Sequence, residues 1–106
     1  NIEVIHLPGA FELPYGAQEL ARTKKFGAVI CLGCILEGET THDKLIAQWV
    51  SMGIGIASLQ TRTPILFGVL TPRSEKQAYQ RTRPGPLNRG KEMAQAALQM
   101  IQFHHK

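Results

Sequence analysis

His42 is the residue best placed in this sequence for proton transfer. It follows Thr40 and Thr41 at the start of a helical stretch. Backbone N–H groups and the positive end of the helix dipole attract an anion there, and the dipole lowers the basicity of a nearby imidazole. The pattern predicts a proton-transferring His beside an anion site. A surface His behind a helix cap, with Thr40 and Asp43 as the capping pair, explains these residues equally well.

Positive charge is concentrated at the end of the chain. Residues 73–106 carry seven Lys or Arg against two acidic residues, whereas residues 1–72 carry five against six. Arg81, Arg83 and Arg89 flank a Pro/Gly loop, and guanidinium groups in such a frame are suited to gripping a phosphate through paired hydrogen bonds. A nucleic-acid surface and an ordinary solvated helix surface are the alternatives.

A third group of residues lies near the start. Ala10, Phe11 and Glu12 follow a Pro-Gly turn. Such a turn offers backbone N–H and C=O groups to a heterocycle, and a carboxylate accepts hydrogen bonds from ligand hydroxyls. An ordinary turn from strand to helix is the simpler explanation of this segment on its own.

Cys31 and Cys34 have the spacing of a redox or zinc motif, but they lie in an apolar run over residues 28–36 that is typical of a buried strand. Strand positions three apart point to opposite faces, so these thiols cannot share a metal or close a relaxed disulfide. We expect two buried, reduced thiols, in keeping with a reducing cytoplasm, and no metal site.

The elements that must position these residues alternate along the chain. Apolar runs predict strands over 2–7, 27–36 and 64–70, and helical patterns predict helices over 12–23, 42–59, 74–81 and from 88 onward. Ser74 is the expected N-cap of the third helix, and Asn88 is expected to begin the last one. This order is typical of a parallel sheet with helices on both faces, a three-layer α/β/α sandwich whose ligands bind beyond the carboxyl ends of the strands.

In the second helix, four large apolar residues recur at helical spacing: Leu45, Trp49, Met52 and Ile56. Gly53 and Gly55 are expected to mark close packing of that helix against the sheet.

Length and composition set the outer limits. The chain has 106 residues, 43% of them apolar, which suits one soluble domain over residues 1–106. It contains no apolar run long enough to span a membrane and no recognisable signal peptide.

Four ordered motifs resemble the lumazine synthase family of riboflavin biosynthesis. They are LPGAFELP at residues 7–14, GCILEGETTH at 33–42, PILFGVLT at 64–71, and Gln77-Ala78 followed by Arg81 and Asn88-Arg89-Gly90. Together they cover nearly the whole chain. The resemblance implies a flavodoxin-like fold.

The activity that the resemblance implies is condensation of 5-amino-6-(D-ribitylamino)uracil with 3,4-dihydroxy-2-butanone 4-phosphate. The product is 6,7-dimethyl-8-ribityllumazine, and phosphate and water are released. The family uses no metal and no organic cofactor. A catalytically silent shell or scaffold subunit of the same family is the alternative.

The resemblance also assigns roles to individual residues. His42 would transfer protons and Arg81 would bind the phosphate, with Arg89 in the place of a family Lys. Phe67 would reach the site of a neighbouring subunit. The remaining substrate-binding residues would be Ala10, Phe11, Glu12, Cys34, Ile35, Leu36, Glu39 and Thr40.

As partners, the resemblance implies the two small-molecule substrates, further copies of the chain in a pentamer or an icosahedral shell of pentamers, and riboflavin synthase. It implies no nucleic acid and no membrane, and a cytoplasmic location.

Two departures from the family bear on these expectations. Lys44 stands where the family often has an acidic residue, so a carboxylate that orients His42 would have to come from another direction. The run over residues 2–7 corresponds to the family's second strand. We therefore expect an N-terminally incomplete domain that lacks the family's first strand and helix, including an aromatic residue that stacks on the pyrimidine.

Overall fold

The computed structural model describes residues 2–36, 41–72, 74–82 and 88–105. Within these ranges the chain forms a short 3₁₀ turn at Ala10–Glu12, two strands and four helices. The strands are β1 (Val29–Cys34) and β2 (Ile65–Leu70), and the helices are α1 (Leu13–Arg22), α2 (His42–Thr61), α3 (Glu75–Thr82) and α4 (Arg89–His104).

β1 and β2 form a parallel pair in which Val29 lies opposite Ile65 and Cys34 lies opposite Leu70. Parallel neighbours need a crossover connection, which α2 provides. Because both strands run in the same direction, their carboxyl ends lie at one end of the sheet, and their amino ends lie at the other.

Helices cover both faces of this pair. On one face, Gly33 lies against Leu13 of α1, and on the other, Gly68 lies against Met93 of α4. The predicted parallel α/β fold is thereby confirmed. The main apolar core lies between α1, α2 and the first face, and its buried members are Ala17, Ala21, Cys31, Ile35, Val50, Ile54, Ala57, Ile65 and Val69.

Side-chain caps fix the starts of α3 and α4, as the sequence predicts. Ser74 Oγ accepts a hydrogen bond of 3.2 Å from the backbone N–H of Gln77, and Asn88 Oδ1 accepts one of 2.6 Å from the N–H of Lys91. The first helix begins slightly later than predicted, since the 3₁₀ turn occupies Ala10–Glu12 before α1 starts at Leu13.

The strand predicted over residues 2–7 is not formed. The segment lies outside the two-stranded sheet, and its apolar side chains are exposed, from 92% for Ile2 to 36% for Leu7. A strand is defined by hydrogen bonds to a neighbour, and alternating apolar residues alone do not supply one. The prediction is therefore wrong for this segment.

The large apolar residues that recur along α2 at helical spacing do not face the core. Leu45, Trp49, Met52 and Ile56 are all exposed to 42% or more. The helix is apolar on two sides, and a different stripe is the buried one: Val50, Gly53, Ile54, Ala57 and Thr61.

Of the two glycines in α2, only one marks a close approach. A Cβ at Gly53 would lie 2.7 Å from Pro14 Cβ, so this glycine packs against α1 and not against the sheet as predicted, whereas Gly55 faces open space. No helix in the described ranges has the length and apolar character needed to cross a membrane.

Candidate functional site

A pocket of about 550 Å³ opens at the carboxyl ends of the two strands, where the α/β fold predicts a ligand. It combines the sheet face on the α4 side with the end of α3 and the start of α4. Its lining residues are Leu32, Gly33, Cys34, Gly68, Leu70, Arg81, Thr82, Asn88, Arg89 and Gly90. The structure thus brings together three of the sequence-predicted site residues, Cys34, Arg81 and Arg89.

Asn88 holds the two arginine-bearing helix ends together. Arg81 lies in the last turn of α3, and Arg89 is the first residue of α4. The side-chain amide of Asn88 donates a 2.9 Å hydrogen bond to the carbonyl of Thr82, while its oxygen caps α4. One side chain therefore fixes the relative position of the segments that carry both guanidinium groups.

The electrostatics of this pocket favour an anion. Arg89 Nη1 lies 3.3 Å from Glu92 Oε1, but both side chains are well exposed, so this ion pair is weak and leaves Arg89 able to turn toward a ligand. Two guanidinium groups at one opening provide the planar donors that phosphate oxygens accept from.

Glycine forms part of the pocket wall for a steric reason. A Cβ at Gly68 would lie 2.9 Å from the carbonyl oxygen of Cys31 and 2.8 Å from Leu32 Cδ2. Because the first of these atoms belongs to the backbone of the neighbouring strand, it cannot move aside easily. Position 68, which faces β1 and α4, therefore accommodates only glycine.

The two cysteines lie on opposite faces of the sheet, as predicted. Cys31 is in the apolar core, where burial raises the pKa of its thiol to about 11, and Cys34 lines the arginine pocket. Both thiols are free, but Cys34 is exposed, so the prediction of two buried thiols is wrong for this residue. The β1 edge next to Cys34 is not covered by another strand in the described part of the sheet.

The turn that carries Ala10, Phe11 and Glu12 is held by α2. Trp49 Nε1 donates a 3.0 Å hydrogen bond to the carbonyl of Phe11, and the two rings lie 5.6 Å apart. Glu12 is half-buried, and its carboxylate lies over Gly9, where a Cβ would be only 3.3 Å from Oε1. The turn is thus fixed both by its backbone and by a ring contact.

His42 is the first residue of α2, and its side chain is exposed. It is not among the residues that line the arginine pocket. The predicted anion loop before it, including Glu39 and Thr40, lies outside the described residues, as does Arg83. Among the described residues, no three His, Cys, Asp or Glu side chains gather in a way that could hold a metal ion.

The remaining predicted site residues are dispersed. Ile35 is buried in the apolar core, Leu36 is exposed just after β1, and Phe67 is 40% exposed in the middle of β2. In-register pairing with Cys31 places Phe67 on the sheet face that packs against α1 and α2. It therefore lies on the face opposite to the arginine pocket.

Sequence reasoning missed Trp49 and Asn88 as supporting residues of the candidate site. The helical spacing of Trp49 indicates only an apolar stripe, although its indole N–H, which needs an acceptor when packed, is a signal that it bonds to a polar group. Asn88 was recognised only as a helix cap, and its second bond to Thr82 carries no sequence signal.

A parallel sheet with helices on both faces and a pocket at the carboxyl ends of its strands defines an α/β protein, a class whose ligands bind at that end of the sheet. Sequence comparison gives the family. Residues 1–105 match the profile of 6,7-dimethyl-8-ribityllumazine synthase, and the chain belongs to that family.

One relative is named 6,7-dimethyl-8-ribityllumazine synthase 1, from Caulobacter vibrioides. It is 47% identical to this chain over 100 residues, which make up 94% of the chain and 65% of the relative. The chain thus spans just under two thirds of that relative's length.

Proposed function

We propose that the protein condenses 5-amino-6-(D-ribitylamino)uracil with 3,4-dihydroxy-2-butanone 4-phosphate to form 6,7-dimethyl-8-ribityllumazine in riboflavin biosynthesis. The observation that carries the proposal is the pairing of Arg81 and Arg89 around one pocket in a chain of this family. A phosphate is both a recognition group of one substrate and the leaving group of this reaction.

In this proposal Arg81 and Arg89 bind the phosphate of the butanone substrate. Their charge also stabilises the phosphate as it leaves, because negative charge accumulates on its oxygens during elimination. Thr82 and Asn88 line the same pocket and offer further polar groups. Cys34 lines the strand side of this pocket and is proposed to contact the substrates there.

His42 serves as the proton donor and acceptor. Imine formation, loss of phosphate and ring closure each require a proton to move, and a positioned His typically accelerates such steps by about 10²–10⁴-fold. Its place at the start of α2 leaves the imidazole exposed to arriving substrate. Glu39 and Thr40 are proposed to contact the phosphorylated substrate from the preceding loop.

The turn at Ala10–Glu12 holds the pyrimidine and its ribityl chain. Phe11 gives an apolar surface, and the half-buried carboxylate of Glu12 accepts hydrogen bonds from ribityl hydroxyls. Ile35 and Leu36 follow β1 on the way to the loop before His42, and they are proposed to contribute to the same substrate pocket. Much of the remaining acceleration comes from orienting two bound reactants.

We further propose that the protein is a homo-oligomer, in particular a pentamer. The support is an exposed apolar stripe along α2 at alternating spacings of four and three residues, formed by Leu45, Trp49, Met52, Ile56 and Leu59. Such spacing is typical of helices that pack against helices, and monomeric proteins rarely expose a stripe of this size. Phe67, half-exposed in β2, is proposed to reach a neighbouring subunit.

The enzymatic proposal is tested by mixing the purified protein with both substrates and recording lumazine fluorescence together with released phosphate. Product and phosphate should appear in equal amounts and only when both substrates are present. An assembled particle that forms neither product would instead identify the silent shell subunit.

The oligomer is tested by light scattering on a Leu45→Glu, Met52→Glu double variant. It should dissociate, because two carboxylates would be buried in the helix contact. Gln48→Glu adds a carboxylate at an exposed position of α2 outside the stripe and should leave the particle mass unchanged. A double variant with the parent's mass would show that the stripe is not the contact.

A further inference from the structure

A second pocket, of about 290 Å³, opens at the opposite end of the sheet from the arginine pocket. Phe26 and Gly27, which precede β1, and Thr63 and Pro64, which precede β2, form part of its wall. The pocket therefore lies at the amino ends of the strands, separated from Arg81 and Arg89 by the length of the sheet. None of the proposed catalytic residues lines it.

The rest of its lining is basic. Five side chains from the ends of three helices contribute, namely Lys24, Lys25, Arg62, His104 and His105, and no acidic residue lines the pocket in the described part of the chain. The ion pairs of Arg22 with Glu19 and of Arg89 with Glu92 involve no residue of this pocket. Its positive charge is thus not neutralised by neighbouring carboxylates.

Helix C-termini explain why some of these positively charged residues are present. α1, α2 and α4 all end at the pocket, and each helix C-terminus carries roughly half a negative charge, so cations are favoured there in any case. Three helix ends amount to about −1.5, while Lys24, Lys25 and Arg62 supply three full positive charges. A positive excess remains even with both His residues neutral.

The side chains of Lys24, Lys25 and Arg62 differ in their contacts. Lys24 Nζ donates to the carbonyl of Thr61 and lies 3.5 Å from Thr63 Oγ1, so it caps α2. The side chains of Lys25 and Arg62 make no hydrogen bond or ion pair within the described residues. Arg62 has φ 55°, a left-handed conformation in which glycine is favoured, so backbone geometry does not explain an arginine at this position.

We propose that this pocket is a second anion site, which binds a small phosphate-type oxyanion through Lys25 and Arg62. Guanidinium and ammonium groups form their strongest hydrogen bonds with such oxygens, and the volume is sufficient for one or two phosphoryl groups. The site is distinct from the arginine pocket and does not depend on the proposed condensation reaction.

The test is a titration at constant ionic strength with inorganic phosphate and, separately, pyrophosphate, followed by calorimetry and by amide chemical shifts. It is done in an Arg81→Ala background, which weakens the other anion pocket. Saturable binding should persist there, with shifts at Gly27, Thr63 and neighbouring amides. The two titrants distinguish a site for one phosphoryl group from a site for two.

Arg62→Gly in the same background is the decisive variant. It removes the guanidinium at a position where glycine suits the backbone, so the fold is kept, and a melting temperature at or above that of the parent checks this. Binding should weaken about tenfold, the effect of losing one charge-assisted hydrogen bond. Arg22→Ala removes an exposed charge outside the pocket and should leave the affinity unchanged.

Two results would overturn the proposal. One is the absence of saturable phosphate or pyrophosphate binding in the Arg81→Ala background. The other is an affinity that Arg62→Gly and Arg22→Ala lower by the same small factor, which would indicate a response to overall charge and no defined site.

Discussion

The indole N–H of Trp49 donates a 3.0 Å hydrogen bond to the backbone carbonyl of Phe11, and the two aromatic rings lie 5.6 Å apart. One residue of α2 thereby fixes both the backbone and the ring of the turn proposed to hold the pyrimidine. Because the carbonyl belongs to the 3₁₀ turn itself, loss of the bond would free the turn without unfolding the core.

Trp49→Phe should therefore raise the KM for the pyrimidine substrate about two- to tenfold, the effect of one hydrogen bond, and leave the KM for the butanone phosphate unchanged. The phenyl ring keeps most of the ring contact. Steady-state kinetics with each substrate varied in turn measure the difference, and light scattering checks that the oligomer is retained. Met52→Leu, on the same exposed side of α2, is the control, and equal changes in both KM values would refute a specific positioning role.

The sequence predicts the helices and β1 and β2 to within a few residues because their periodicity and caps are local signals. Ser74 and Asn88 cap α3 and α4 as expected. Residues 2–7 have equally strand-like periodicity, yet no strand forms, because strand pairing depends on a neighbour that is not determined by the local sequence. The local pattern thus predicts that a segment favours the strand conformation, whereas its pairing with another strand depends on the tertiary structure.

The faces of α2 illustrate the same limit. Val50 and Ile54 on one side are as apolar as Leu45 and Met52 on the other, so composition cannot decide which stripe meets the core. The decision comes from the close approach of Gly53 to Pro14, a contact between helices. For the candidate site, residue types predicted the arginines, but the Asn88 bond to Thr82 that joins their helices could not be predicted.

Arg81→Ala should raise the KM for the phosphorylated substrate about tenfold or more, since a charge-assisted hydrogen bond to phosphate contributes roughly 1.5–3 kcal/mol. The KM for the pyrimidine should change little. Lys76→Ala provides the matched control, because it removes an exposed positive charge from the same helix outside the pocket. An unchanged KM for the phosphorylated substrate in Arg81→Ala would eliminate the phosphate assignment.

His42→Ala should slow turnover by about 10²–10⁴-fold without abolishing it, because orientation of the two substrates is retained when the proton-transfer group is lost. Both KM values should stay close to those of the parent. Single-turnover fluorescence measures the rate of the chemical steps. His6→Ala is the control, because it removes an exposed imidazole that lies outside α2. A parental rate in His42→Ala would exclude proton transfer by this residue.

Cys31 should make stability fall at high pH. Burial raises the pKa of its thiol from 9.0 to about 11, so above pH 9 the unfolded chain releases a proton that the folded chain retains. The folded state consequently loses up to about 3 kcal/mol relative to the unfolded chain between pH 9 and 11.

Denaturant unfolding of the parent and of Cys31→Ala, compared at pH 8 and pH 10.5, tests this linkage. The alanine variant is less stable at pH 8 because it loses buried volume. The difference in unfolding free energy between the parent and this variant should narrow at pH 10.5. Cys34→Ala, at the exposed thiol, should follow the parent at both pH values. A difference that stays constant for Cys31→Ala would show that the buried thiol does not contribute to the pH dependence.

The two glycines of α2 should respond to alanine in opposite directions. A Cβ at Gly53 would lie 2.7 Å and 2.8 Å from ring carbons of Pro14, and a rigid ring cannot turn aside, so α1 and α2 must separate. Overpacking of this kind costs about 1–3 kcal/mol. Gly55 meets nothing within 4 Å, so Gly55→Ala should stabilise the protein by about 0.5–1 kcal/mol through its higher helix propensity.

Urea unfolding of both variants measures this difference, and the same pair also tests the candidate site. Pro14 is in the first turn of α1, directly after the turn that carries Phe11 and Glu12. Separation of the helices should therefore weaken the Trp49 hydrogen bond and raise the KM for the pyrimidine in Gly53→Ala but not in Gly55→Ala. Equal stability of the two variants would contradict the close approach of α1 to α2 at Gly53, from which both effects are derived.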